Sequence, residues 1–176
     1  AFKNAAATTR QGAELSWSQR WAEQWRSQLS AAWLQATYDA AFTSGSNTVA
    51  AGNRLPGIPS QQLFASLQWS QHGFASKHRL GPVGWSSSLD WIARSQLWAS
   101  DMNDEASRAP GYSVLNLKVR HRTDLGRAQL DAWVGIDNLS DRRTVGSVIV
   151  NQASGQYFEP GLPRQWMLGL RLVAAL

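Results

Sequence analysis

The feature that most constrains this chain is alternation. Across Leu89–Leu97, one phase reads Leu89, Trp91, Ala93, Ser95, Leu97 and the other Asp90, Ile92, Arg94, Gln96. Successive side chains of a strand point to opposite faces, so a period of two predicts a strand with two unlike faces. Leu115, Leu117 and Val119 alternate with Asn116, Lys118 and Arg120 in the same way. So do Leu130, Ala132, Val134 and Ile136 with Asp131, Trp133, Gly135 and Asp137, and Trp166, Leu168, Leu170 and Leu172 with Gln165, Met167, Gly169 and Arg171. Three earlier segments follow more loosely: Ala13, Leu15, Trp17; Leu34, Ala36, Tyr38, Ala40, Phe42; and Leu63, Ala65, Leu67, Trp69. The spacing therefore predicts seven strands, of which the Ala-rich second also fits a helix. In each apolar phase no charged residue occurs.

The expected connections alternate in length. Short ones fall near Ala22–Arg26 and Thr123–Arg127, and a medium one near Gln71–Gly84. Long ones run over Thr43–Ser60, Ala99–Gly111 and Ser140–Pro163, and these carry the Gly and Pro punctuation. Antiparallel strands joined shortly at one end and at length at the other make the layout of an up-and-down outer-membrane barrel. Such a barrel turns its apolar phase to lipid, whereas a soluble sandwich turns it to a core. Candidate strands of 9–13 residues lean toward the membrane. So do the aromatic residues Trp17, Trp21, Trp69, Trp91 and Trp166, with Tyr38 and Phe42, which this reading places in the lipid-facing phase.

Composition excludes several classes. The 176 residues contain no Cys, which removes disulfide scaffolds, thiolate metal sites and Cys nucleophiles. The three His (His72, His78, His121) are too scattered to suggest a metal site. A net charge of +5 points weakly to anionic partners, but the basic residues are dispersed, with Arg120–Arg122 and Arg142–Arg143 the densest groups, so nucleic acid is not expected. No run approaches the ~20 apolar residues of a membrane helix; the longest are scraps such as Val148–Val150 and Leu172–Leu176. The chain opens at Ala1 without a signal-like segment, and is expected to be a mature form or to begin partway through a longer protein. No nucleophile, metal or phosphate-loop motif stands out, so neither an enzyme nor a cofactor is expected. Asp101-Met102-Asn103-Asp104-Glu105 opens like a calcium loop, but Ala106 and Tyr112 stand where Gly and Glu are required.

Val134-Gly135-Ile136-Asp137-Asn138-Leu139-Ser140-Asp141-Arg142-Arg143 resembles the Asn-Leu-Phe-Asp-Arg/Lys signature near the end of TonB-dependent outer-membrane receptors. Tyr157–Arg164 leads into a last strand as in that family. Thr9–Leu15 is similar to its Arg-x-Gly-x-Glu-Leu strand start, Gly52–Pro59 to its Asn-Arg-x-Pro-Gly-x-Pro loop exit, and Ala109–Leu117 to its Pro-Gly-Tyr strand start. Five motifs in order span nearly the whole chain. The resemblance implies an all-β, antiparallel up-and-down transmembrane β-barrel, with residues 1–176 as about seven C-terminal strands of 22. The plug and the TonB-contacting segment would lie upstream of Ala1. It implies energised uptake of a scarce nutrient, chiefly a ferric siderophore, with TonB, outer-membrane lipid and lipopolysaccharide as partners. Ala174 departs from the pattern, standing where a terminal aromatic is expected.

On this reading the outer loops contribute Arg54, Arg142, Arg143, Tyr157 and Phe158 to ligand binding. The two arginines could grip an anionic ligand or lipid phosphate, or simply bond neighbouring carbonyls or Asp141. Asp90, Arg94, Lys118, Arg120 and Asp131 would face the lumen. The alternatives are a self-contained soluble β-sandwich or small-barrel binding module, and, less well supported, a barrel enzyme.

Overall fold

A computed structural model describes residues 6–75 and 81–174; His78, Ala1 and the end of the run Leu172–Leu176 lie outside the described residues. Thirteen strands follow in order: β1 (Thr8–Arg20), β2 (Trp25–Tyr38), β3 (Phe42–Ser44), β4 (Asn47–Val49), β5 (Gln61–Ser70), β6 (Gly84–Arg94), β7 (Leu97–Trp98), β8 (Arg108–Ala109), β9 (Tyr112–Asp124), β10 (Ala128–Asp137), β11 (Val145–Val148), β12 (Phe158–Pro160) and β13 (Gln165–Ala174). The seven long ones form a single antiparallel meander, β1-β2-β5-β6-β9-β10-β13. β1 and β13 are its edges, so the sheet is not closed. The remaining six make three short hairpins inside the long connections.

The Ala-rich segment is a strand. Its neighbours decide this, because isolated strands and helices of such composition are both weak, and cross-strand partners on both sides favour extension. β2 is paired along its whole length with β1, from Thr8 opposite Tyr38 to Arg20 opposite Arg26. On its other side it pairs with β5, from Trp25 opposite Trp69 to Trp33 opposite Gln61.

Register corrects the phase expected for this strand. Directly opposed residues share a face. Trp33 opposes Ala13, while Leu34 opposes Gly12 and Ala36 opposes Arg10. The outward phase of β2 is thus Trp25, Leu29, Ala31 and Trp33. Tyr38 and Phe42 do not belong to the lipid-facing set. Tyr38 is buried with Ala36, Val49 and Leu55, and Phe42 packs against that cluster.

The turns at one end are tight. At Asp124–Ala128, the Leu125 amide donates to the Ala128 carbonyl at 2.7 Å and the Gly126 amide to Asp124 Oδ1 at 2.9 Å. Gly126 has φ +80°, which a side chain would strain. The other end carries residues 39–60, 95–111 and 138–164.

Following the register across the sheet gives two unlike faces. One carries Leu15, Trp17, Leu29, Ala31, Trp33, Leu63, Leu67, Trp69, Leu89, Trp91, Leu117, Val134, Leu168 and Leu170. No Asp, Glu, Lys or Arg of the seven strands lies on it; all fall on the opposite face. The apolar face is bare: Leu168 is 87% exposed and Leu170 74%. The buried apolar side chains cluster instead among the long connections, around Tyr38, Val49, Leu55, Leu97 and Ala109. No helix is long and apolar enough to cross a membrane, which says nothing of crossing by strands.

Candidate functional site

Eight of the ten Trp are sorted by height as well as by face. Trp17, Trp21, Trp25, Trp69 and Trp85 lie toward the tight turns, Trp33, Trp91 and Trp166 toward the long connections. From Trp25 to Trp33, β2 runs about 27 Å at about 3.4 Å per residue. Tilted about 40°, that is about 21 Å of height, close to the ~25 Å apolar band between aromatic girdles of a membrane barrel. Two of these indoles donate their N–H groups to serines: Trp21 Nε1 to Ser27 Oγ at 2.7 Å and Trp91 Nε1 to Ser113 Oγ at 2.6 Å.

Beyond this band the three long connections are tied together. Asp101 is the hub. Its Oδ1 accepts from Tyr38 Oη at 2.6 Å and its Oδ2 from Asn151 Nδ2 at 2.8 Å. Its amide donates to Asn151 Oδ1 at 2.9 Å, and its carbonyl accepts from Asn53 Nδ2 at 2.8 Å. Burial first, and then the bond to the Asp101 carboxylate, pushes the Tyr38 hydroxyl pKa well above its usual range. Asn103 and Arg54 exchange two bonds, Arg54 N–H to Asn103 Oδ1 at 2.7 Å and Asn103 Nδ2 to the Arg54 carbonyl at 3.0 Å. Gly57 and Trp98, and Asn151 and Ala99, add backbone links. The Asp101–Glu105 segment thus serves as a loop clasp, with Asp104 capping the short 3₁₀ turn Glu105–Ser107.

The signature around Asn138 has a mechanical explanation. Asn138 adopts φ +51° and is 6% exposed. Its Oδ1 accepts from the Arg142 amide at 2.9 Å, and its Nδ2 donates to the carbonyls of Arg142 at 2.8 Å and Leu162 at 3.3 Å. Asp141, also at positive φ, accepts from the Arg164 amide at 2.9 Å. One Asn therefore joins the departure and the return of the 138–164 connection. Small polar side chains suit such left-handed positions because they bond the local backbone.

The five loop residues read from sequence fall in different settings. Arg54 is half-buried, its Nη2 donating to the Leu34 carbonyl at 3.1 Å, so it holds loop to strand. Arg142 and Arg143 project exposed side chains, and among the described residues neither pairs with Asp141, which instead lies 3.9 Å from Arg164. Tyr157 and Phe158 stack at a tilt, ring centroids 6.0 Å apart, on the hairpin β11–β12. Ser147 of the same hairpin donates to Glu159. Among the described residues, the hydrogen bonds of Arg54 that involve a side chain go to Leu34 and Asn103 rather than to the other four. The hub formed by Asp101, Asn103 and Asn151 was not read from sequence. Its only hint was that acidic and amide residues punctuate each long connection.

Asp90, Arg94, Lys118, Arg120 and Asp131 share the charged face. Arg94 Nη2 donates to the Val145 carbonyl at 3.2 Å, which brings the last long connection over that face. Asp131, 5% exposed, sits between Arg120 Nε at 3.2 Å and Arg122 Nε at 3.4 Å. These are ionic contacts without hydrogen-bond alignment, since both Nε atoms and Asp131 Oδ1 lack such a partner. Lys118 Nζ lies 4.3 Å over the Trp133 ring, and the Arg26 guanidinium 4.2 Å over Phe74. A cavity of about 320 Å³ opens among Arg26, Lys118, Arg120, Arg122 and Ser86–Ser88 near the tight turns.

Comparison with known proteins agrees with this geometry. The family model described as TonB dependent receptor-like, beta-barrel matches residues 1–139. Among solved structures, the siderophore receptor PiuA from Acinetobacter baumannii superposes with a TM-score of 0.73 at 14% identity, over 94% of this chain and 22% of that one. The ferric yersiniabactin uptake receptor FyuA from Yersinia pestis gives 0.66 at 18% identity, over 94% and 23%. The ferric-catecholate import receptor Fiu from E. coli K12 gives 0.67 at 20% identity, over 93% and 20%. At these identities the likeness concerns the fold, and the chain spans less than a quarter of each of these three structures.

Proposed function

The chain belongs to the TonB-dependent receptor β-barrel family, and we propose from this that it forms the wall and three outer loops of an outer-membrane receptor that takes up a scarce nutrient, a ferric siderophore, with energy delivered through TonB. It is a binding and transport protein rather than an enzyme. The single observation that carries the reading is the division of the sheet: every charged side chain on one face, and a bare, uncharged, Trp-bordered band on the other. A soluble sandwich would cover that band with a second layer. A bilayer covers it without one, and the strands leave no backbone group unpaired at depth once the sheet is closed by neighbours.

On this reading the sequence is the last seven strands of about 22, with the plug and earlier strands in the rest of the receptor. The charged face, with Asp90, Arg94, Lys118, Arg120 and Asp131, lines the lumen. The clasped loops form one side of the ligand vestibule, where Arg142 and Arg143 meet anionic groups of the ligand or of lipopolysaccharide, and Tyr157 and Phe158 offer aromatic surface. Ligands named for the similar structures support iron chelates as the cargo class, while the similar copper transporter OprC keeps a copper cargo in contention.

The test is uptake in a strain lacking the gene for the intact receptor. Cells under iron limitation are given ⁵⁵Fe loaded on a catecholate, a hydroxamate and a carboxylate chelator in turn, with and without TonB. Loss of uptake of one class in the deletion, restored by the gene only where TonB is present, is the expected result. Unchanged uptake of all three, with the protein recovered in the soluble fraction without detergent, would overturn the reading in favour of a soluble β module.

A further inference from the structure

We propose that a groove on the apolar face, between Trp33 and Trp91, seats one acyl chain of a zwitterionic phospholipid, as a defined site and not as a stretch of fluid boundary. The inference rests on the barrel reading, which turns this face to the bilayer, and adds what that bilayer places on it.

The register makes the groove. Trp33 stands beside Ala13, and in the next row toward the tight turns Ala31, Leu63 and Ala93 stand abreast on β2, β5 and β6. Two methyl groups thus flank one leucine there, whereas lower on the sheet Leu67, Leu89 and Leu117 stand abreast. Where side chains shrink to methyls between large indoles, the surface sinks. The result is an open cavity of about 590 Å³. Nine of its thirteen lining residues are outward; the other four, Glu14, Ala32, Gln62 and Arg94, are the residues between them in sequence, so the cavity opens on the apolar side. Trp33 and Trp91 stand out from the sheet, 45% and 41% exposed, and the bond from Trp91 Nε1 to Ser113 Oγ holds that indole before anything binds. A wall already ordered costs less to bind against.

Shape, polarity and charge choose the occupant. The two indoles lie two inter-strand steps and four residues apart, about 17 Å along a diagonal of the sheet. A trough of that length suits a rod, whereas a second copy would bring a broad sheet. Ala31, Leu63 and Ala93 each have a ladder partner on both sides, so the floor offers no backbone group to a peptide strand. The polar outward side chains of the lining, Gln61 and Ser95, are neutral and sit at the end toward the long connections, where the linkage carbonyls of a lipid would meet them. No Asp, Glu, Lys or Arg of the seven strands lies on this face, so an anionic headgroup finds no counter-charge on it and a zwitterionic one needs none. Within hydrocarbon the hydrophobic effect no longer favours contact, and association is won by van der Waals packing, which a concave surface supplies more of than a flat one.

The experiment titrates the intact receptor, in dodecyl maltoside, with palmitoyl-oleoyl phosphatidylethanolamine and counts bound lipid by native mass spectrometry. Binding that saturates at one phospholipid per protein is expected. Occupancy should fall at least about fivefold in Ala31→Phe/Ala93→Phe, which fills the groove, and hold in Ala132→Phe, the same change elsewhere on the face. If the filled protein loses the heat-modifiable gel mobility of a folded barrel, Ala93→Leu replaces it, with a smaller drop expected. Lipids that add without a plateau, or a plateau indifferent to filling, overturn the inference and leave an ordinary boundary layer. So does lipopolysaccharide displacing the phospholipid in competition, or a dimer that the filled variant dissolves, which would assign the groove to another lipid or to a second copy. A receptor that never shows heat-modifiable mobility fails at the barrel reading itself, which separates the two failures.

Discussion

The Trp133 indole lies across the backbone of Gly169, its cross-strand partner on β13, so that a methyl group at Gly169 would collide with the ring. Lys118 Nζ lies 4.3 Å over the same ring. A glycine beneath an aromatic is a device for keeping a weak strand position covered. We expect Gly169→Ala to displace Trp133 and to destabilise the sheet by about 1–3 kcal/mol. Gly135→Ala, whose nearest neighbour is the flexible end of Met167 at 3.3 Å, should be tolerated. Urea unfolding of the receptor in lipid vesicles, followed by Trp fluorescence, compares the two.

Leu170 separates a membrane from water. It is 74% exposed at the middle of β13. On a face left bare to water, Leu170→Arg would fall within about 0.5 kcal/mol of neutral; near the middle of a bilayer it should cost about 2–4 kcal/mol. Folding equilibria in vesicles and in detergent measure the difference.

Asp131→Ala should leave Arg120 and Arg122 facing one another without a counter-charge. Removing one partner of a buried ion pair costs about 3–5 kcal/mol, and a value near the lower end is expected because Arg120 keeps some contact with solvent. Adding Arg122→Gln to Asp131→Ala should recover part of the loss, a non-additivity that a double-mutant cycle reads directly.

Tyr38→Phe should loosen the loops without unfolding the sheet. A hydrogen bond to a carboxylate is worth about 1.5–3 kcal/mol, so amide exchange in residues 39–60 and 95–111 should quicken about 10- to 100-fold. The pH dependence follows from the raised pKa of the Tyr38 hydroxyl. A proton held more tightly in the folded state stabilises it fully below the ordinary value of 10.0, and that stabilisation drains away as pH climbs toward the raised one. The wild-type loops should therefore open in strong alkali, and Tyr38→Phe should lack that step.

Asn138→Gly should keep the positive φ and lose three hydrogen bonds; Asn138→Ala should lose both. We expect the alanine variant to be the less stable by about 1 kcal/mol, seen as faster proteolysis of the 138–164 connection.

Much of the architecture was legible because a two-residue period survives without knowledge of partners. Seven strands, their order, and the alternation of tight and long ends could all be read along the chain. The second strand shows where this stops. Trp33-Leu34 puts two apolar side chains side by side, so both phases look lipid-facing, and only Ala13 and Gln61 opposite Trp33 choose between them. Tyr38 was misplaced for that reason. The loop hub was illegible for another: Tyr38 and Asp101 are 63 positions apart, and their bond depends on the packing of two irregular segments. Hairpins of two or three residues, such as β7–β8, leave too short a pattern to detect.

On the barrel reading, the clasp at Asp101 also fixes how this surface looks from outside the cell. Residues from three connections meet at Asp101, through its carboxylate and its backbone, so the shape shown to an antibody is conformational and shared. A peptide copied from any single connection would present only part of that epitope. Escape by substitution is coupled too: a change at Asn151 that alters the clasp redraws the neighbouring 39–60 and 95–111 segments along with its own.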